Sequence, residues 1–193
     1  MHPDSPIADD MRRLDSLLRD HVAPYLPASS SDLRILNLAC GRCDEAETLM
    51  NFANSLDGRE LKLIGADIRI REILAARERC ANLPAEFLLE DATNLTSHKE
   101  LGEDFNLVLL RHQNFWHEPD IWKKIFEQGV DKAGNDGLIV ITSYFDKEHH
   151  LALEALQNMG AELIVTQLNE RARKLRQPGK CVDKHIAVLR RKS

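Results

Sequence analysis

The sequence contains no run of about 18 apolar residues, the length a membrane-spanning helix requires. Its first segment, MHPDSPIADDMRR, mixes acids with bases and lacks the apolar centre of a secretory signal. These two absences lead to the expectation of a cytoplasmic protein with no membrane partner. Cysteine is scarce: Cys40, Cys43, Cys80 and Cys181 are too few and too irregularly spaced for a disulfide framework. Cys80 and Cys181 supply no second pair to complete a zinc site begun by Cys40 and Cys43, and His117-Glu118 lacks the second histidine of a zinc-protease helix, so no metal is expected. The glycine pattern GxGxxG is missing, which argues against a nicotinamide-dependent dehydrogenase. No internal repeat or low-complexity tract interrupts the chain, and its 193 residues are ample for one sizeable core.

What charge there is lies unevenly. The formal net charge of -5 argues against a general nucleic-acid binder. Nine of the 26 Lys and Arg nevertheless fall after residue 169, where Glu170 and Asp183 are the only acids. The stretch RARKLRQPGK suits an anionic substrate or an RNA phosphate if it overhangs a site, so nucleic acid stays open as a partner. Its plainer reading is a solvated loop.

Met11, Leu14, Leu17, Leu18 and Val22 recur at helical spacing and predict an amphipathic helix ending near Pro24 to Pro27. Ser29 to Asp32 then reads as a linker, so that residues 1–32 form a helical arm and 33–193 the main domain. From Leu33 onward short apolar runs alternate with helical stretches. The strands are expected at Leu33 to Leu38, Leu61 to Ala66, Glu86 to Leu89, Asn106 to Leu110, Leu138 to Ser143, Leu163 to Gln167 and His185 to Arg190. Helices are expected at Glu45 to Leu56, Ile70 to Asn82, Asp120 to Lys132 and Lys147 to Asn158, with a weak one near Ser97 to Leu101. This alternation predicts an α/β, Rossmann-like domain: a mostly parallel seven-stranded sheet with helices on both faces. About twenty residues without helical periodicity precede the last strand, so it is expected to return antiparallel at the sheet edge.

Chemistry gathers where strands end. The first strand runs into Ala39-Cys40-Gly41, a turn of small residues that opens toward a helix and lets a ligand approach backbone amides. Asp67 closes the second strand and Asp91 the third. Ligands of open parallel sheets bind beyond these strand ends; one acid there suits a ribose diol and the other an adenine amino group. The fourth strand ends in Arg111-His112-Gln113-Asn114-Phe115-Trp116-His117. Imidazole titrates near neutrality, which makes His112 a candidate general base. Arg111 is placed to hold a carboxylate or line a cofactor, and Phe115-Trp116 to wall a pocket. Trp122, Ile125 and Phe126 read as core, and His149-His150 as solvated.

These stretches together resemble the class I S-adenosylmethionine-dependent methyltransferases. Asn37-Leu38-Ala39-Cys40-Gly41-Arg42-Cys43 stands where that family has an acid followed by Gly-x-Gly-x-Gly; here Asn37 replaces the acid, Ala39 the first glycine and Cys43 the third. GADIRIREILAAR, LLEDATNL, FNLVLLRH and AGNDGLIVITSY match the later motifs. The resemblance implies S-adenosylmethionine as cofactor, held by Asn37, Ala39, Cys40, Gly41, Asp67, Ile68, Asp91, Ala92 and Arg111. It implies methyl transfer to an acceptor, for which a small molecule is favoured over RNA or protein. The Asn-Pro-Pro-Tyr motif of enzymes that methylate DNA bases is absent. Two alternatives stand beside this reading. One is a module of the same fold that binds the cofactor or its demethylated product without catalysis. The other is a thiol redox protein using Cys40 and Cys43 at a helix start.

Overall fold

Each apolar run of the sequence becomes a strand. In the computed structural model, which describes residues 5–27, 32–56, 60–95, 98 and 101–191, α1 (Pro6–His21) and a single 3-10 turn (Ala23–Tyr25) precede β1 (Asp32–Leu38). There follow α2 (Ala46–Asn54), β2 (Glu60–Asp67), α3 (Ile70–Arg79), β3 (Ala85–Leu89) and β4 (Phe105–Leu110). The chain continues through α4 (Pro119–Lys132), β5 (Ala133–Ser143), α5 (Asp146–Asn158), β6 (Ala161–Leu168) and β7 (His185–Arg191). Ser29 to Ser31 of the expected linker, and most of the weak helix expected near Ser97 to Leu101, lie outside the described residues.

The seven strands form one sheet in the order β3-β2-β1-β4-β5-β7-β6, and β7 is antiparallel to both of its neighbours. The mostly parallel, Rossmann-like architecture is therefore present, with one correction. The antiparallel strand is not at the edge but between β5 and β6, and β6 is the edge. Ile186 to Leu189 are buried throughout, so β7 needs neighbours on both sides and cover on both faces. Glu162, Thr166, Gln167 and Leu168 of β6 are exposed, which an edge strand tolerates.

Side chains alternate across the sheet and feed two cores. Leu33 and Ile35 of β1 pack with residues of α1, α2 and α3; Leu36 and Leu38 pack with residues of α4 and α5. Helix α1 is tied to its start by Ser5, whose Oγ accepts the Ala8 amide at 3.2 Å, and Pro6 opens its first turn. Strand order reverses between β1 and β4, where the connections leave in opposite directions and a crevice opens at the C-terminal ends. Among the described residues no helix is long and apolar enough to cross a membrane.

Helix α5 corrects a second expectation. His150 is exposed, but His149 is only 2% exposed. Its Nδ1 lies 3.1 Å from the buried Ser143 Oγ and its Nε2 2.8 Å from Oγ1 of Thr166 on the edge strand, so both ring nitrogens have protein partners. Burial, and the neighbouring His185, push its pKa down from 6.5 to about 3. Burial pushes the neighbouring Glu148 up from 4.5 to about 7. The two groups act in opposite directions. With its folded pKa lowered, His149 contributes stability above pH 6.5 that is lost as the pH falls toward 3. With its folded pKa raised, Glu148 contributes stability below pH 4.5 that is lost as the pH rises toward 7. In wild type these slopes offset each other between pH 4.5 and 6.5. Glu148→Gln should unmask the histidine: as the pH is lowered from 6.5 to 4.5, stability should then fall by up to about 1.4 kcal/mol per pH unit, as read by urea unfolding at each pH. A flat profile in the variant would rule out His149 as the acid-labile group.

Candidate active site

The crevice at the C-terminal strand ends holds two adjoining cavities, of about 600 Å³ and about 350 Å³. Ala39, Arg69 and His112 line both and so mark their junction. Asp67, Ile68, Asp91 and Ala92 line the larger; Cys40, Gly41 and Arg111 line the smaller. Of the residues expected to hold a cofactor, only Asn37 reaches neither. It is buried beneath the β1 loop, where its Nδ2 donates to Glu45 Oε1 at 2.6 Å and to Cys43 Sγ at 3.3 Å, and its Oδ1 is left without a partner.

The β1 loop owes its shape to three residues with left-handed backbone: Ala39 (φ 53°), Gly41 (φ 56°) and Cys43 (φ 49°). These are the positions where the resembled motif has glycine. The turn is thus kept with alanine and cysteine in conformations that cost roughly 1–2 kcal/mol per residue. Close packing sets a further demand on β2. A Cβ added at Gly65 would lie 2.8 Å from the Phe87 ring and 2.9 Å from Cys40 Sγ, so only glycine lets the loop sit against the strand.

Asp67 ties this loop to β2. Its Oδ2 accepts the Gly41 amide at 2.8 Å and Arg69 Nη2 at 3.0 Å, while Oδ1 accepts the Arg69 amide and Arg69 Nε, both at 2.9 Å. Burial alone would raise its pKa, but the Arg69 bonds and the Gly41 amide hold it below the usual carboxylate range. Asp91, by contrast, is exposed and makes a local turn: its Oδ1 accepts the Thr93 amide at 2.9 Å and the Thr93 hydroxyl at 2.8 Å.

Behind the smaller cavity lies an ion cluster that brings together residues far apart in the chain. Arg111 donates from Nε and Nη2 to the two oxygens of Asp183, at 3.0 and 2.7 Å, and from Nη1 to Glu45 Oε2 at 3.3 Å. Asp183 also accepts the Thr142 hydroxyl at 2.8 Å, and His112 Nε2 lies 2.8 Å from its Oδ1. Burial would raise the pKa of Asp183, but Arg111 and His112 beside it hold its carboxyl far below the ordinary range. Burial opposes charge on Arg111 too, and Asp183 with Glu45 more than restores it.

His112 is placed by three constraints. Its backbone is left-handed (φ 58°), its amide donates to Thr142 Oγ1 at 3.1 Å, and its ring stacks on Tyr144 at 4.1 Å. The ionised carboxylate of Asp183 can only accept, so the 2.8 Å contact assigns the ring proton to Nε2. The Asp183 amide lies 3.3 Å from the same nitrogen, a longer approach that does not outweigh the charged contact. Nδ1 is then the basic nitrogen, and it has no partner among the described residues.

The sequence reading missed Asp183, Glu45 and Arg69. Asp183 carries one signal: it is an acid inside a strongly basic stretch. Phe115 requires a correction, because it does not wall the pocket; it is buried in the core, stacked on Phe126 at 5.4 Å, and Trp116 stacks on Phe145 at 5.0 Å. Trp122 and Phe126 are core as expected, although the edges of Trp122 and Ile125 also reach the larger cavity. The basic segment after β6 spends part of its charge internally, Arg173 on Asp10 and Lys184 on Asp146, while Lys180 Nζ lies 4.4 Å over the Tyr144 ring. Among the described residues no three His, Cys, Asp or Glu side chains gather as a metal site.

No protein-family model matches the chain, and no curated protein matches its sequence. Solved structures do match. A S-adenosylmethionine-dependent methyltransferase from Clostridium acetobutylicum superposes with a TM-score of 0.70 at 11% identity, over 99% of this chain and 96% of that one. A TehB-like methyltransferase from Corynebacterium glutamicum gives 0.62 at 16% identity, over 97% and 98% of the two chains. The magnesium protoporphyrin IX methyltransferase of Synechocystis, solved with S-adenosylmethionine bound, gives 0.64 at 13% identity, over 97% and 85%. The fold is that of S-adenosylmethionine-dependent methyltransferases over nearly the whole chain.

Proposed function

We propose that this chain transfers a methyl group from S-adenosylmethionine to a small acceptor that must lose a proton to react. The observation that carries the reading is convergence: the left-handed β1 loop, Asp67, Asp91 and His112 come from four successive strand ends and surround one continuous crevice. The donor set fits the cofactor. Asp67 suits the ribose diol, Asp91 with the apolar Ile68 and Ala92 suits the adenine, and the Ala39–Gly41 backbone suits the methionine end. When bound, the cofactor supplies an activated methyl group for in-line displacement. Asn37 supports the loop from beneath through Glu45 and Cys43, and Arg111 acts by fixing Glu45 and Asp183.

His112 takes the acceptor's proton at Nδ1. Asp183 holds the opposite nitrogen, stabilises the imidazolium that forms and keeps the ring in one tautomer. An acceptor bearing a hydroxyl, thiol or amine proton is therefore favoured, and Lys180 with the exposed basic residues of its loop favours an anionic one. The thiol redox alternative loses ground on electrostatics. Cys40 beside it, burial and the nearby Glu45 push the Cys43 thiol well up, and a thiol held protonated is a poor nucleophile.

The test is incubation with labelled S-adenosylmethionine and fractionated cell extract, followed by separation of small from large products. Label should appear in a small-molecule fraction above an Asp67→Ala control. His112→Gln should lower turnover by about 10²- to 10³-fold while binding of S-adenosylhomocysteine stays within about twofold. Binding without any labelled product would instead favour the non-catalytic module.

A further inference from the structure

Arg69 sits on the carboxylate that a ribose would need. A carboxylate offers about four lone-pair positions. On Asp67 the Gly41 amide, the Arg69 amide, Arg69 Nε and Arg69 Nη2 take one each. Asp67 is 3% exposed, so no further oxygen surface remains for a diol. Two of the four donors are backbone amides, fixed by the loop and by the start of α3. The other two belong to a side chain that is 60% exposed and can leave.

The guanidinium also covers the loop itself. Its Nη2 stands 3.2 Å from where a Cβ would be at Gly41, and Arg69 lines both cavities at their junction. Glu72, one turn along α3, raises the pKa of Arg69 from nearby and also lies 3.9 Å from Arg42 Nε. It offers the displaced guanidinium an acidic neighbour.

We propose that Arg69 is a displaceable strap across the cofactor site: the ribose hydroxyls replace its two side-chain bonds on Asp67, so this residue sets the affinity for the nucleoside. The proposal rests on the reading of the crevice as an S-adenosylmethionine site. It has a consequence opposite to ordinary electrostatic binding. Salt screens this pair through its exposed guanidinium end, less strongly than a pair exposed at both ends, and S-adenosylhomocysteine carries no net charge. Raising the ionic strength therefore weakens the competitor and strengthens the ligand's hold.

The experiment is isothermal titration of the full chain with S-adenosylhomocysteine at about 20 mM and about 300 mM salt, a range over which the screening length changes several-fold. Wild type should bind more tightly at high salt. Arg69→Ala should bind about fivefold tighter than wild type at low salt and lose the salt dependence. Arg69→Gln, which keeps polarity but removes the charged fork, should behave like the alanine variant and serves if that variant folds poorly. Unchanged or weaker binding by folded Arg69 variants would overturn the strap while leaving the cofactor site standing. If wild type and variants alike bind nothing at millimolar ligand, the reading of the crevice fails and the strap with it.

Discussion

Asp67→Ala is expected to weaken S-adenosylhomocysteine binding by about 30- to 100-fold, the loss of roughly 2–3 kcal/mol from hydroxyl hydrogen bonds to a charged acceptor. At ligand a hundredfold above its dissociation constant, wild type gains about 2.7 kcal/mol, or roughly 5–10 °C in melting temperature for a chain of this size. The variant should keep only about 0.4–0.9 kcal/mol of that gain, roughly 1–3 °C. The free protein also loses the anchor between the β1 loop and β2, since the Gly41 amide donates to this carboxylate. Asp67→Asn separates the effects: it keeps the side-chain shape and an acceptor oxygen while removing the charge, so stability should suffer less than affinity. Undiminished affinity in either variant would place the ribose elsewhere.

Asp183→Asn is expected to cost about 3–5 kcal/mol of stability, the usual penalty for breaking a buried ion pair by removing one partner. Asparagine tolerates the left-handed backbone at this position (φ 47°), so the loss is electrostatic rather than conformational. Arg111 would keep the 3.3 Å contact to Glu45 and at most one of its two bonds at position 183, while the amide NH2 faced its guanidinium in place of the second charged oxygen. A fall of about 10 °C or more in melting temperature should follow. Arg111→Met together with Glu45→Gln in the same chain should recover part of the loss, because removing every charge of the cluster is cheaper than stranding one. If His112 is the base, Asp183→Asn should also reduce turnover, through loss of the tautomer and of imidazolium stabilisation. A variant as stable as wild type would mean the cluster is far more hydrated than its burial implies.

Much of the architecture was legible because its signals are local. Each strand run is short, apolar and bounded by turn residues, and each helix carries its own stripe. Asp67, the last residue of β2, and Asp91, two residues past the end of β3, could be placed near strand ends because a strand and the residues that close it are read from the same few positions. The depth of His149 was hidden for the opposite reason. On its own helix it looks like one of two polar neighbours, and only Ser143 and Thr166, on two other elements, make its burial tolerable. Phe115 was misjudged in the same way: an aromatic in a loop points to a pocket until Phe126 is seen to hold it in the core.

The chain's own pattern sufficed for the alternation of strand and helix, for the crevice at the strand ends and for the three polar groups around it, since all of these follow from periodicity and turn chemistry. Three things needed the third dimension. The long loop after β6 had to bring Asp183 across 72 residues to Arg111 before His112 acquired its partner. The position of β7 had to be settled by competition for burial between two apolar strands, a sum over the whole sheet. And Arg69 had to take a rotamer that, together with the Gly41 amide of the folded loop, saturates Asp67, an arrangement that two residues of sequence spacing permit but do not specify.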